Sequence, residues 1–234
     1  MTGKNNKTAC DRCGTCCRKG GPALHIDDLP LLQQKHLRPS QLISIRKGEP
    51  VFSPYSANTE PAETEIVKIK GSAGEWTCLF LQDPKTTCTI YRHRPLECRL
   101  LKCWDTADLE EAAGKNLLNR FDIIAAQEPV KQCLEEHEAE CSLVNLDRQL
   151  RDLAMPRSRK EALTELSRLV NKDLAFRARA CRQYGFDLDL ELFYFGRPLF
   201  IILNQVGIET HEVNGICRLS LAPFKHSETA VRTL

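Results

Sequence analysis

Four cysteines fall within eight residues near the start of the chain, in the run Cys10-Asp-Arg-Cys13-Gly-Thr-Cys16-Cys17. A segment this short and polar cannot hold its sulfurs as core filler, so its chemistry is metal ligation. Two intervening residues between Cys10 and Cys13, and again between Cys13 and Cys16, let a tight loop wrap three thiolates round one centre. That spacing matches the first three positions of a bacterial ferredoxin run, and equally half of a zinc ribbon. Gly14 frees the backbone to turn inside the loop, and adjacent Cys16 and Cys17 are expected to point in different directions. Cys17 is therefore open as a second-centre ligand, a reactive thiol or a buried one.

Four more cysteines, Cys78, Cys88, Cys98 and Cys103, complete a set of eight before residue 104; Cys133, Cys141, Cys181 and Cys217 are scattered beyond it and read as small apolar core residues. Twelve cysteines would suit a secreted disulfide protein, but such proteins are usually short, whereas this chain has 234 residues, 42% of them hydrophobic. The polar start through Lys7 is followed by no signal-type apolar segment, and no apolar run is long enough to cross a bilayer. A reducing, cytoplasmic setting is expected, with thiols holding metal and no membrane association.

The ordered segments Cys10-x-x-Cys13-x-x-Cys16-Cys17, Cys78-Leu-Phe-Leu, Cys88-Thr-Ile-Tyr91, Arg94-Pro95-Leu-Glu-Cys98-Arg99 and Cys103 resemble the YkgJ-like cysteine-cluster family of zinc- or iron-chelating proteins, over about residues 9 to 104. The resemblance implies that Cys10, Cys13, Cys16, Cys17, Cys78, Cys88, Cys98 and Cys103 are the metal ligands. Eight thiols serve one or two centres. The three-cysteine loop and the resemblance favour an iron–sulfur cluster of the 4Fe-4S kind, with zinc the alternative. Arg94 and Arg99 flank the later ligands and are candidate hydrogen-bond donors to cofactor sulfur, against a competing reading as surface or ion-paired residues. The family includes a form fused in flagellin lysine N-methylases, but the Gly-rich loop after a strand that such an activity would need is missing from this sequence.

Three functions follow from these residues. The first is a metal-binding accessory or redox protein acting on a protein partner or small molecule; the second is a metal-dependent enzyme, methyltransferase-related or an oxidoreductase; the third is a structural zinc module that binds another macromolecule. His93 is a weak ligand candidate, while His25, His36, His137, His211 and His226 show neither zinc spacing nor a partnered nucleophile. Trp76, Tyr91 and Trp104 are expected to shield the site. The net charge of +2 hides an asymmetry: through residue 105 there are 16 Lys+Arg against 11 Asp+Glu, and beyond it 17 against 20. Two four-thiolate centres of about −2 each would bring the front segment to about +1, so its basic excess balances metal and gives no case for nucleic acid.

The elements that must carry these ligands give an α+β chain. A small cysteine-rich region of short strands and loops (residues 1–105) precedes a mostly helical region (residues 106–234) expected to pack on it, as a second domain or as part of the same compact one. Asp27 or Asp28 starts a short helix through about His36 with Pro30 in its first turn, and residues 40 to 62 read as loop. Thr64–Lys70 is a strand, turned at Gly71-Ser-Ala-Gly74 into Trp76–Leu81; a turn at Asp83-Pro84 then brings Cys78 near Cys88. Pro95 opens a helix bearing Cys98. Cys98 and Cys103 would differ by about 140° on a straight helix, which predicts a kink or stop between them, or two separate sites. Beyond, helices are expected from Asp105 to about Gln127, from Val130 through Cys141, and from a Ser158/Glu161 capping box to Tyr184, stopped by Gly185. Leu188–Leu192 and Leu199–Leu203 fit either strand or helix.

Overall fold

The computed structural model describes residues 7–53, 58–72, 75–82 and 84–221. The expected turn residues Ala73, Gly74 and Asp83, the loop residue Pro54, the polar start before Lys7 and His226 lie outside them. The first 125 residues contain α1 (Thr15–Arg18), α2 (Leu29–Gln33), β1 (Leu42–Ile45), β2 (Pro50–Ser53), β3 (Asn58–Pro61), β4 (Ile66–Ile69), β5 (Leu81–Gln82), β6 (Thr87–Cys88), α3 (Leu96–Leu100), α4 (Ala107–Ala112) and α5 (Arg120–Ile123). Then come α6 (Val130–Glu140), α7 (Leu146–Ala154), α8 (Arg159–Tyr184), α9 (Leu188–Phe195), α10 (Leu199–Gln205), β7 (Ile208–Val213) and β8 (Ile216–Leu221). Short strands and loops followed by helices is the order the sequence predicts. Among the described residues, no helix is long and apolar enough to cross a membrane.

The chain forms two compact units, each drawn from separated segments. Of the described residues, the first takes those within 7–44, 66–125 and 188–194. Three extended segments knit its core through backbone bonds: Leu24 N–H donates to Val67 O (2.8 Å), Val67 N–H to Leu118 O (3.0 Å) and Leu118 N–H to Leu24 O (2.8 Å). All three side chains are buried, so each backbone bond sits over apolar packing. This arrangement explains one departure from the sequence reading. A single helix from Asp105 to Gln127 is instead α4 and α5 with a break between them, because Leu117 and Leu118 are taken as extended chain against His25 and Leu24. Tertiary pairing overrides helix propensity there.

Residues 40–62 also differ from the expected loop, since they contain β1, β2 and β3. β2 and β3 pair antiparallel with Pro50 opposite Pro61. Those prolines hide the strands in the sequence, yet a two-stranded ribbon tolerates them because each strand has an open edge. β4 falls where Thr64–Lys70 predicts a strand but pairs with β1, while Trp76–Phe80 forms an isolated bridge from Cys78 to Gly71 and scattered backbone bonds instead of continuing as a strand. At the expected helix start, Asp28 stands at the N-cap position of α2, but its side chain makes no cap bond there. Its carboxylate accepts from His25 N–H (3.1 Å) and Leu96 N–H (2.8 Å).

The second unit takes the described residues within 45–65, 126–187 and 195–221. Its main element is the 26-residue α8, ended by Gly185 with φ 62°. Ala162, Leu166 and Val170 lie on its buried face, and Leu143, Leu146, Leu199, Ile202 and Leu203 complete that core. Leu163, Leu169 and Leu174 are only partly buried. The Ser158/Glu161 capping box does not form; the Ser158 hydroxyl donates to Asp152 O at 2.8 Å instead. The ambiguous tail resolves as α9 and α10, followed by the β7–β8 hairpin. Its turn is Asn214-Gly215, both at positive φ (55° and 76°), the geometry a two-residue hairpin turn demands.

In the same unit α8 buries two charges. Asp173 accepts from His137 Nε2 (2.7 Å), Arg177 Nε (3.0 Å) and Leu199 N–H (3.0 Å), and Arg177 donates further to the carbonyls of Phe195, Gly196 and Arg197. Burial pushes the Asp173 carboxyl up, but His137 and Arg177 outweigh it and hold the group ionised. Burial, aided by the charges of Arg46 and Arg177, lowers His137 to about 4 against the pull of Asp173, so the ring is neutral at neutral pH.

Candidate metal centre

The first unit contains a cavity of about 460 Å³. Cys10, Cys13, Cys16, Cys17, Cys78, Cys88, Cys98 and Cys103 all line it, and none of the other four cysteines does. Cys133 and Cys141 are buried in the second unit, and Cys181 and Cys217 are half-buried there, as core thiols should be.

Local geometry accounts for this convergence segment by segment. Gly14 stands immediately before α1 at φ 76°, a left-handed conformation that a side chain would strain, and an added Cβ would meet Arg18 Nη1 at 3.2 Å and Leu81 Cδ1 at 3.3 Å. The turn it makes sends Cys16 and Cys17 into the first turn of α1. Their sulfurs are 3.9 Å apart. Cys78 N–H donates to Cys17 O at 2.8 Å, which ties the second cysteine segment to the first by backbone alone. Cys88 arrives on β6, paired with Leu81 of β5, so the expected hairpin does carry it beside the cavity.

Cys98 lies on α3, which stops at Leu100; Leu101 turns extended and lets Cys103 reach the same cavity. The stop between the two cysteines is the one their helical phase predicts. Two carboxylates clasp α3 in place: Asp28 receives Leu96 N–H, and Glu97 of α3 receives Ala23 N–H at 2.8 Å. His25 Nε2, behind Glu97 at 3.5 Å, is buried without a hydrogen-bond partner.

Electrostatics divides the thiols. Burial raises Cys17, and the neighbouring Cys16, Cys78 and Cys88 raise it further, to about 12. Burial also raises Cys98, with Cys78, Cys17, Cys16 and Cys88 adding to the effect. Cys78 and Cys88 are pushed up by burial as well. Such a group cannot ionise together unless a cation joins it. Cys13 behaves oppositely: the Thr15 hydroxyl at 3.2 Å and the Thr15 N–H favour its thiolate, with help from Lys7. Lys7 Nζ stands 3.7 Å from Cys103 Sγ, pairs with Asp11 and lies 5.4 Å from the centre of the Trp104 ring.

Of the flanking arginines, Arg94 lines the cavity, with its guanidinium 3.8 Å from the centre of the Tyr91 ring. Its Nε is buried without a hydrogen-bond partner, an orphaned donor at the wall of a thiol cavity that a sulfur acceptor would satisfy. Arg99 does not line the cavity; it donates to Arg94 O at 2.9 Å and faces Asp28 at 3.9 Å. Tyr91 and Trp104 line the cavity, whereas Trp76 does not and is substantially exposed. His93 stacks on His36 with ring centres 3.5 Å apart. A second cleft, about 130 Å³ in the second unit, carries only the ion pairs Lys172–Glu140 and Arg168–Glu165 among its charged residues and no thiol.

The donor set and the orphaned Arg94 N–H suit a thiolate-bound metal. The spacing does not amount to a finished single-ion site: among the described residues, no three Cys, His, Asp or Glu side chains converge as one metal ion requires. Tetrahedral zinc thiolates stand about 3.8 Å apart, a separation that the Cys16–Cys17 pair matches.

Residues 9–117 match the sequence model of a family named CxxCxxCC and described as "putative zinc- or iron-chelating domain". That segment contains all eight cavity cysteines. No curated protein and no solved structure matches the chain.

Proposed function

We propose that this domain holds a metal–sulfur centre, an iron–sulfur cluster, through the cavity cysteines, and that the protein has a redox or accessory role toward a protein partner or small molecule. The observation that carries the reading is the sorting of the cysteines: eight thiols from five chain segments line one cavity, and the remaining four are elsewhere. A cavity of about 460 Å³ lined by eight thiols has room for a polynuclear inorganic core. When bound, such a cluster supplies one-electron transfer at a potential set by its surroundings.

The chain's own residues do the rest. The thiols of Cys17, Cys78, Cys88 and Cys98 lose protons on loading, so metal affinity rises with pH. Arg94 offers its orphaned N–H and its charge at the cavity wall, and Arg99 steadies the Arg94 backbone. Tyr91 and Trp104 restrict water at the wall.

Zinc is the second reading, favoured by the 3.9 Å separation of the Cys16 and Cys17 sulfurs. Anaerobic purification followed by an absorption spectrum and elemental analysis separates the two. Broad absorbance at about 400 nm with iron and acid-labile sulfide supports the cluster. A colourless protein with tightly held zinc replaces it with the second reading, and a protein that retains neither metal refutes both.

A further inference from the structure

We infer that Tyr91 is a positioning residue of the cavity: its ring is clamped between the guanidinium groups of Arg12 and Arg94, and the clamp fastens the first cysteine loop to the segment between Cys88 and Cys98. The inference rests on the metal-binding reading and adds a device, built without any sulfur, that holds two cysteine-bearing segments together.

The printed distances define the clamp. The Arg12 guanidinium carbon lies 4.1 Å from the centre of the Tyr91 ring, and that of Arg94 lies 3.8 Å from the same point. One face of a phenol ring has room for a single planar cation at that distance, and two like charges side by side on it would repel, so the guanidiniums take opposite faces. Both ring faces are electron-rich and attract the cations, while the ring itself keeps the two charges apart. Arg12 stands between Cys10 and Cys13, and Tyr91 and Arg94 stand between Cys88 and Cys98. All three residues line the cavity.

Each arginine shows what the clamp holds. Arg12 has φ 54°, a left-handed conformation that costs free energy in a residue with a side chain. It is held at both ends: its N–H donates to Cys10 Sγ at 3.3 Å, and its guanidinium, on an otherwise exposed residue, rests on Tyr91. The ring therefore steadies the strained turn that carries Cys10 and Cys13. On the other face, Arg94 Nε is buried at the cavity wall without a hydrogen-bond partner. With its guanidinium pinned on the ring, that donor is kept from solvent and available to an acceptor inside the cavity. A lysine at either position would retain the charge but lose the planar stack.

The test uses the full-length protein purified anaerobically. Iodoacetamide labelling of Cys10 and Cys13 is followed by mass spectrometry with Cys133 as internal reference, and metal per chain and far-UV circular dichroism are measured on the same samples. Loss of the stack in Tyr91→Leu or Arg12→Ala should raise the labelling rate of Cys10 and Cys13 about five- to tenfold with the dichroism unchanged. Tyr91→Phe keeps both ring faces and should label like wild type, whereas Arg12→Lys should resemble Arg12→Ala. The double variant Tyr91→Leu/Arg12→Ala should label no faster than Tyr91→Leu alone, because both changes remove one contact.

If Tyr91→Leu loses its dichroism, the two Arg12 variants, changed at an exposed side chain, decide the matter against wild type. Unchanged labelling in Arg12→Ala, equal effects of Tyr91→Phe and Tyr91→Leu, or additive effects in the double variant overturn the clamp and leave the metal-binding reading standing. Wild type purified without metal refutes the metal-binding reading instead, and the labelling ratios still decide the clamp.

Discussion

His137 makes the second unit sensitive to acid, and the size of the effect follows from its surroundings. The ring is fully buried, bonded through Nε2 to Asp173, and repelled by the charges of Arg46 and Arg177. In the unfolded chain an imidazole titrates at about 6.5, whereas here it is lowered to about 4. A folded-state value below the unfolded one means that acid favours the unfolded chain. The contribution is complete above about pH 6.5, declines as pH falls and is gone below about pH 4. Linkage at about 1.4 kcal/mol per pH unit gives a total near 3 kcal/mol, of which about 2 kcal/mol is lost between pH 7 and pH 5. That is a large share of an ordinary domain stability.

The assay is urea unfolding followed by far-UV circular dichroism, which reports the helices of this unit; both tryptophans lie in the first unit and would report on that one. Wild type is compared with His137→Gln at pH 7, 6 and 5. The variant starts lower, because it disturbs a buried hydrogen bond, but its stability should fall by about 2 kcal/mol less than wild type over this range. The shared titration of surface carboxylates cancels in the difference. Parallel curves for the two proteins would refute the claim that His137 is held neutral.

Two further substitutions test how the units are built. Asp28→Asn replaces one of the two carboxylate oxygens that receive His25 and Leu96 N–H with an amide donor; it should cost about 1–3 kcal/mol in urea unfolding of the first unit and loosen Cys98, read as faster alkylation of that residue, and an unchanged rate would show that the clasp does not position it. Leu166→Ala should cost about 2–5 kcal/mol as a cavity in the core of the second unit, whereas Leu163→Ala, one helical step off the buried face, should cost clearly less; equal losses would mean the buried face of α8 is misplaced.

The cavity cysteines were legible because cysteine chemistry is concentrated in residue type and spacing: Cys-x-x-Cys-x-x-Cys-Cys has few structural uses, and the later four cysteines come in an order that resembles one family. How the first two cysteine segments are joined was not legible. It depends on one backbone bond from Cys78 to Cys17, which no spacing carries. Periodicity revealed α6 and α8 and the stop at Gly185, where long amphipathic runs supply many residues of agreement. It missed β2 and β3, four residues each with prolines at their ends, and it missed the break between α4 and α5, which long-range pairing imposes. The Asn214-Gly215 hairpin signal was present in the sequence and simply outranked by the apolar runs before it.

Asp173 and Arg177 show a deeper limit. Four residues apart on a helix, opposite charges read as a solvated surface pair worth a few tenths of a kcal/mol. Yet they continue the stripe of Ala162, Leu166 and Val170, and both are buried. What makes the position tolerable is supplied from elsewhere in the unit: His137 from α6, Leu199 N–H from the start of α10, and the three carbonyls at Phe195, Gly196 and Arg197. Removing any one of those partners leaves a charge or a donor buried without compensation, so the network tightens the joining of α6, α8 and α10 at their contacts more than apolar residues would. The cysteine cavity follows the same logic in the first unit. The buried thiols are costly there alone, and the segments that bring them together are held by backbone bonds and by the buried Asp28 carboxylate. The fold thus keeps cysteines from distant parts of the chain on one cavity.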